Sequence, residues 1–198
     1  MNVSVIGLGY VGLIQAAGMA KIGHEVIGVD IDLDKVNNVN NKIPPIYEKG
    51  LKELLNELVP KKLTATNKLK QAVLESEITF ICVGTPSKKQ GEMSLHQLES
   101  VLRLLGEIIK EKTYHVFVIK STVVPGTCEH IVVKALEKSS GKKFPQDFSV
   151  VMNPEFLREG EAIEDFFKPD RIVLGSSDKK ALELLQEAYS YFDCPVLL

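Results

Sequence analysis

Asn2-Val3-Ser4-Val5-Ile6-Gly7-Leu8-Gly9-Tyr10-Val11-Gly12 decides the fold. A short β-branched run ends in three glycines spaced G-x-G-x-x-G, and a helix-period stretch follows from Val11 to Ile22, stopped by Gly23. The pattern predicts strand, tight turn and helix. Gly7 permits the turn, Gly9 lets the backbone approach a pyrophosphate, and Gly12 lets helix and strand pack closely. Tyr10 and Val11 lie between the last two of these glycines, at the helix mouth. There the N-terminus offers free N–H groups and the positive end of its dipole to phosphate.

An acid closes the second predicted strand, Glu25–Asp30. A carboxylate at this place accepts hydrogen bonds from ribose hydroxyls and repels a 2′-phosphate, so Asp30 favours NAD over NADP. Lys35 can argue the other way, serve the pyrophosphate, or simply face solvent.

Further along, apolar runs alternate with helix-period stretches. The predicted strands are Asn2–Ile6, Glu25–Asp30, Leu63–Thr66, Ile78–Val83, Val116–Lys120, Ser149–Asn153, Arg171–Gly175 and Val196–Leu198. The predicted helices are Val11–Ile22, Leu33–Asn40, Leu51–Leu58, Lys68–Glu75 with Asn67 as cap, Leu95–Lys110, Thr127–Lys138 and Lys180–Phe192. Strands alternating with helices imply βαβ units and a parallel sheet. The expected fold is α/β: a Rossmann-like, doubly wound, mostly parallel sheet with helices on both faces, as one domain over residues 1–198.

Composition agrees. The 198 residues are 44% hydrophobic and 25% charged, which suits one core with an ordinary polar surface. A net charge of −2 gives no electrostatic reason to expect nucleic acid or an anionic membrane as partner. The lysine pairs Lys61–Lys62, Lys88–Lys89 and Lys142–Lys143 read as solvated surface. No apolar run reaches the length of a membrane span, and the first residues lack the pattern of a secretory signal. Cys82, Cys128 and Cys194 are too few and too scattered for a disulfide framework, so a cytoplasmic setting is expected. The histidines are isolated, and no metal site is expected.

Ligands of open α/β sheets gather at the carboxyl ends of strands. Three such ends carry polar loops with prolines: Val83-Gly84-Thr85-Pro86, Ser121-Thr122-Val123-Val124-Pro125-Gly126-Thr127, and Asn153-Pro154-Glu155-Phe156-Leu157-Arg158-Glu159-Gly160. Glu155 and Glu159 are four apart, so a short helical turn would set both carboxylates on one face. Such a pair can serve acid/base chemistry. Arg158 could equally neutralise either in a plain salt bridge. Cys128 follows Pro-Gly-Thr at a helix start, where the dipole can lower a thiol pKa; inert packing is the other reading.

The segments GLGYVG, VGTP, STVVPGT, NPEFLREG and DFFKPDRIVLG, in this order, resemble the UDP-glucose and GDP-mannose dehydrogenases. PPIYEKGL is similar to the family's I-Y-E-P-G-L element, with Lys49 where proline is common. NPEFLREG followed by PDRIVLG looks most like the UDP-glucose branch. The resemblance implies oxidation of an alcohol to a carboxylate with two NAD, through an aldehyde captured by a cysteine. It implies Glu155 as acid/base group and Thr122 as holder of the water or carboxylate. Phe156, Leu157, Arg158 and Glu159 would line the sugar. Glu159 would also lie against the nicotinamide side, and Gly84, Thr85, Pro86, Ser121 and Thr122 would contact the cofactor. The family's cysteine segment G-G-x-C-x-P-K-D, its central helix and its UDP-sugar domain have no counterpart in this chain. The expectation is therefore a part of a longer enzyme that dimerises through that helix, and that binds NAD without full turnover when alone.

Overall fold

The computed structural model describes residues 1–87 and 93–198; Lys88–Lys89 lies outside the described residues. Six strands form one parallel sheet: β1 (Asn2–Ile6), β2 (Glu25–Val29), β3 (Leu63–Thr66), β4 (Ile78–Ile81), β5 (Val116–Ile119) and β6 (Ser149–Met152). Their order is β3-β2-β1-β4-β5-β6. The chain thus reverses direction across the sheet between β1 and β4, where open α/β sheets leave a crevice.

Side chains alternate along each strand and feed two cores. Val3, Val5, Phe80 and Val118 pack on the face covered by α1 (Tyr10–Lys21), α3 (Leu51–Leu58) and α8 (Lys179–Ala188). Ile6, Ile81, Phe117 and Ile119 pack on the other face, under α4 (Leu69–Glu75), α5 (His96–Ile109) and α6 (Val133–Ser140). Every residue of β4 and β5 is buried, as strands covered on both faces require. In α5, Leu98, Val101, Leu102, Leu105, Ile108 and Ile109 form the inward stripe, each contributing about 1.5–3 kcal/mol of burial. The expected doubly wound sheet is therefore present.

Several local expectations change. The predicted strands Arg171–Gly175 and Val196–Leu198 shrink to β7 (Ile172–Val173) and β8 (Val196–Leu197). These pair with each other in a separate parallel ribbon, joined to β6 by one antiparallel bridge between Met152 and Gly175. A six-residue helix, α7 (Ala162–Phe167), has no counterpart among the predicted elements. The predicted helix from Thr127 opens as a π-helix over Cys128–Val132 before continuing as α6. Asn67 does not cap α4: the N-cap is Lys68, whose N–H is bound by the Thr66 hydroxyl. Leu33–Asn40, now α2, and Leu51–Leu58 keep their predicted bounds.

At the amino ends of the strands, Ser4 Oγ lies 2.7 Å from Thr79 Oγ1, which lies 2.7 Å from His115 Nε2. His115 is 1% exposed, and desolvation pushes its imidazole down to about 3. In the unfolded chain it titrates near 6.5, so between pH 6.5 and 3 only the unfolded state takes the proton. Folding stability is expected to fall by up to about 1.4 kcal/mol per pH unit as pH drops through that window. Denaturant titrations at several pH values check this. His115→Asn should lose that share of the slope, and an unchanged slope would refute it.

Candidate functional site

The loops at the carboxyl ends of the strands converge on the turn after β1. Gly7 takes a left-handed φ of +90°, and a Cβ there would stand 2.9 Å from the Cys82 carbonyl oxygen. At Gly12 a Cβ would meet the Gly7 carbonyl oxygen at 1.7 Å, so α1 seats directly against the turn. Above Gly9, by contrast, a Cβ would find nothing within 4 Å. The turn is closed beneath and open above. The first turn of α1 carries no acidic residue, which leaves its N–H groups and dipole free to take an anion.

Asp30, beyond the end of β2, accepts the Leu8 N–H at 2.7 Å and the Asp32 N–H at 3.0 Å. Lys35 Nζ stands 3.7 Å from Asp30 Oδ2. The carboxylate is thereby aimed and still has acceptor capacity for hydroxyls, since a carboxylate offers about four lone-pair sites. These features fit a dinucleotide: an anion-ready helix end, clear space at Gly9, and a fixed carboxylate one strand away.

The other loops are tied to one another. Thr85 Oγ1 donates to the Thr122 carbonyl at 2.9 Å, and Ser121 Oγ donates to the Val83 carbonyl at 2.6 Å. Gly84, Pro86 and Thr122 are exposed on these loops. The structure thus brings the β4 and β5 loops together, but commits the hydroxyls of Thr85 and Ser121 to bracing them.

Residues 153–158 have no regular secondary structure, with a turn at 159–161, so the helical turn expected to pair Glu155 with Glu159 is absent. Instead Glu155 Oε2 accepts the N–H of Leu157 at 2.6 Å. Arg158 neutralises neither acid. It holds Asp165 through three bonds (2.6–3.2 Å) and Glu161 at 2.6 Å, anchoring the loop to α7. Phe156 is half exposed, with the Arg171 guanidinium 4.6 Å from its ring centroid. Burial pushes the Cys128 thiol up to about 11, with Glu129 adding to it, opposite in direction to the lowering expected of a helix start.

Two residues missed in the sequence reading join the site. Lys120, at the end of β5, is 7% exposed and shares a cavity of about 530 Å³ with Glu155, Gln15, Asn153 and Tyr189. Gln15 Nε2 donates to Tyr189 OH at 3.1 Å, and Tyr189 OH donates to Asn153 Oδ1 at 2.7 Å. Lys120 Nζ donates to that same oxygen at 3.3 Å. Desolvation pushes the Lys120 amine down to about 8, against the pull of Cys82 and Glu155. Its signal in the sequence was an ionisable residue closing a wholly apolar strand. The second is Glu48, 6% exposed, which accepts a bond from the Tyr10 hydroxyl. Its Oε1 is buried without a partner among the described residues. An orphaned buried acceptor of this kind costs about 1–3 kcal/mol or more.

No group of three or more His, Cys, Asp or Glu side chains among the described residues could hold a metal ion, and no helix among them is long and apolar enough to cross a membrane.

Comparison with known proteins places this geometry. GDP-mannose 6-dehydrogenase of Pseudomonas aeruginosa is 45% identical over 199 residues, covering 100% of this chain and 46% of that protein. A crystal structure of GDP-mannose dehydrogenase from the same organism superposes with a TM-score of 0.97 at 45% identity, over 100% of this chain and 46% of that one. A UDP-glucose dehydrogenase from Pyrobaculum islandicum gives 0.93 at 43% identity, over 98% and 45%. The chain thus spans about half the length of the relatives it matches. Residues 1–193 match the UDP-glucose/GDP-mannose dehydrogenase family, NAD binding domain, so this chain belongs to that family and its cofactor is NAD.

Proposed function

We propose that this chain is the cofactor-holding half of an enzyme that oxidises the C6 hydroxyl of UDP-glucose to a carboxylate, with two NAD in turn accepting the hydrides and water supplying the second oxygen. The observation that carries the reading is the turn closed under Gly12 and open over Gly9, with two carboxylate-bearing loop positions, Glu155 and Glu159, at the same end of the sheet. In this reading the Tyr10 and Val11 N–H groups hold the pyrophosphate and Asp30 accepts the ribose hydroxyls, with Lys35 beside it. Gly84, Thr85, Pro86 and Ser121 form the wall toward the nicotinamide. Glu155 takes the proton from the sugar hydroxyl, and the exposed Thr122 hydroxyl positions water. The Phe156–Glu159 backbone lines the sugar. The thiol, the uridine pocket and the dimer contact belong to the remainder of a longer polypeptide working in the cytoplasm.

Calorimetric titration tests the cofactor assignment. NAD should bind, and NADP at least about tenfold more weakly, because its 2′-phosphate meets Asp30. UDP-glucose should bind poorly and yield no NADH with the isolated chain. Equal NADP affinity, or robust NADH formation, would sink the respective claim. GDP-mannose is the second reading, favoured by the 45% identity to the Pseudomonas enzyme. NADH formation by the longer polypeptide with each sugar nucleotide in turn separates the two.

A further inference from the structure

Three stretches far apart in sequence meet at one carboxylate. Glu48, in the segment Pro44–Leu51, accepts the Tyr10 hydroxyl and, at 2.9 Å, the Gly160 N–H through the same Oε2. That N–H also lies 2.9 Å from the Tyr10 oxygen. Tyr10 begins α1 directly after Gly9, and Gly160 directly follows Glu159. Glu48 is therefore the joint between the dinucleotide turn and the acidic loop.

We propose that Glu48 is a positioning residue that fixes Glu159 against the first turn of α1, acting through Tyr10 and the Gly160 N–H. The proposal rests on the reading of Glu159 as a cofactor contact. The shape of the joint supports it. Desolvation, then the bond to Glu48, push the Tyr10 phenol up to about 12, so it remains a donor across the working pH range. The peptide between Glu159 and Gly160 carries the Gly160 N–H, 2.9 Å from the Tyr10 oxygen, so the Glu159 backbone lies against the start of α1. Gly160 turns with φ +87°, and its N–H points back at the Tyr10–Glu48 pair. Glu48 itself is a poor choice for stability alone, since its second oxygen is sealed without a donor among the described residues. Its use is to join two functional segments that no helix or strand connects.

The test is a double-mutant cycle on NAD affinity in the full chain, read with amide hydrogen exchange. Glu48→Ala should weaken NAD about tenfold and speed Gly160 amide exchange by at least about tenfold, leaving Val118 in β5 unchanged. Glu159→Ala should also weaken NAD, and adding Glu48→Ala to it should cost nothing more. Glu48→Gln, whose carbonyl oxygen still accepts, should recover most of the affinity. If Glu48→Ala does not fold, Tyr10→Phe carries the same cycle, with a loss of about threefold. Equal penalties in both backgrounds, unchanged Gly160 exchange, or an Glu159→Ala chain that binds NAD normally would each overturn the role of Glu48. A wild-type chain that does not bind NAD would overturn the cofactor reading itself.

Discussion

Gly9→Ala is expected to weaken NAD binding by more than about thirtyfold while leaving the melting temperature within about 3 °C of wild type. Gly12→Ala is expected to lose both binding and stability. The two glycines look alike in sequence and differ in what surrounds them. Above Gly9 a methyl meets nothing of the protein, so the fold tolerates it, and the space it fills is where a pyrophosphate would cross. At Gly12 a methyl would stand 1.7 Å from the Gly7 carbonyl, and that neighbour is backbone that cannot rotate away. Overpacking of this kind costs about 3 kcal/mol or more, a drop of about 6–12 °C for a chain of this size. Thermal melts with and without NAD check both. A Gly9→Ala chain that binds like wild type would remove the pyrophosphate from this turn.

Lys120→Met should make the protein more stable. Burial lowers the amine from its usual 10.5 to about 8, so holding it charged at neutral pH costs about 3 kcal/mol. Methionine fills similar volume without charge, and Asn153 Oδ1 keeps the Tyr189 hydroxyl. The expected gain is about 3 kcal/mol at pH 7, or about 6–12 °C. The pH dependence has a definite sign. Below pH 8 both states carry the proton; between 8 and 10.5 only the unfolded state does, so wild-type stability rises through that window. The variant should be flat there. Denaturant melts at pH 7 and 10 read both effects, and a destabilised variant would refute them.

How much of this was legible follows from what each signal depends on. β1, its turn and α1 were readable because glycine spacing and strand period are local. α2 and α3 were readable because prolines follow them, Pro44–Pro45 after one and Pro60 after the other. α7 was hidden: six residues with two adjacent phenylalanines carry no helical period. Four-residue spacing placed Glu155 and Glu159 on one face only if the loop were helical. Pro154 disfavours helix at Asn153 before it, and the left-handed Gly160 ends the loop after it. The Tyr10–Glu48–Gly160 joint spans separations of 38, 112 and 150 residues, where no local pattern reaches.

The strand order has one more consequence. Adjacent strands stand about 4.8 Å apart, so the axis of β6, three places from β1, runs about 14 Å to the side of the strand that ends in the glycine turn, and the loop carrying Glu155 starts from there. The sheet is a ruler with a hydrogen-bonded scale. Surface helices can lengthen, shorten or change sequence without altering that reading. Only a strand gained or lost between β1 and β6 would regraduate it.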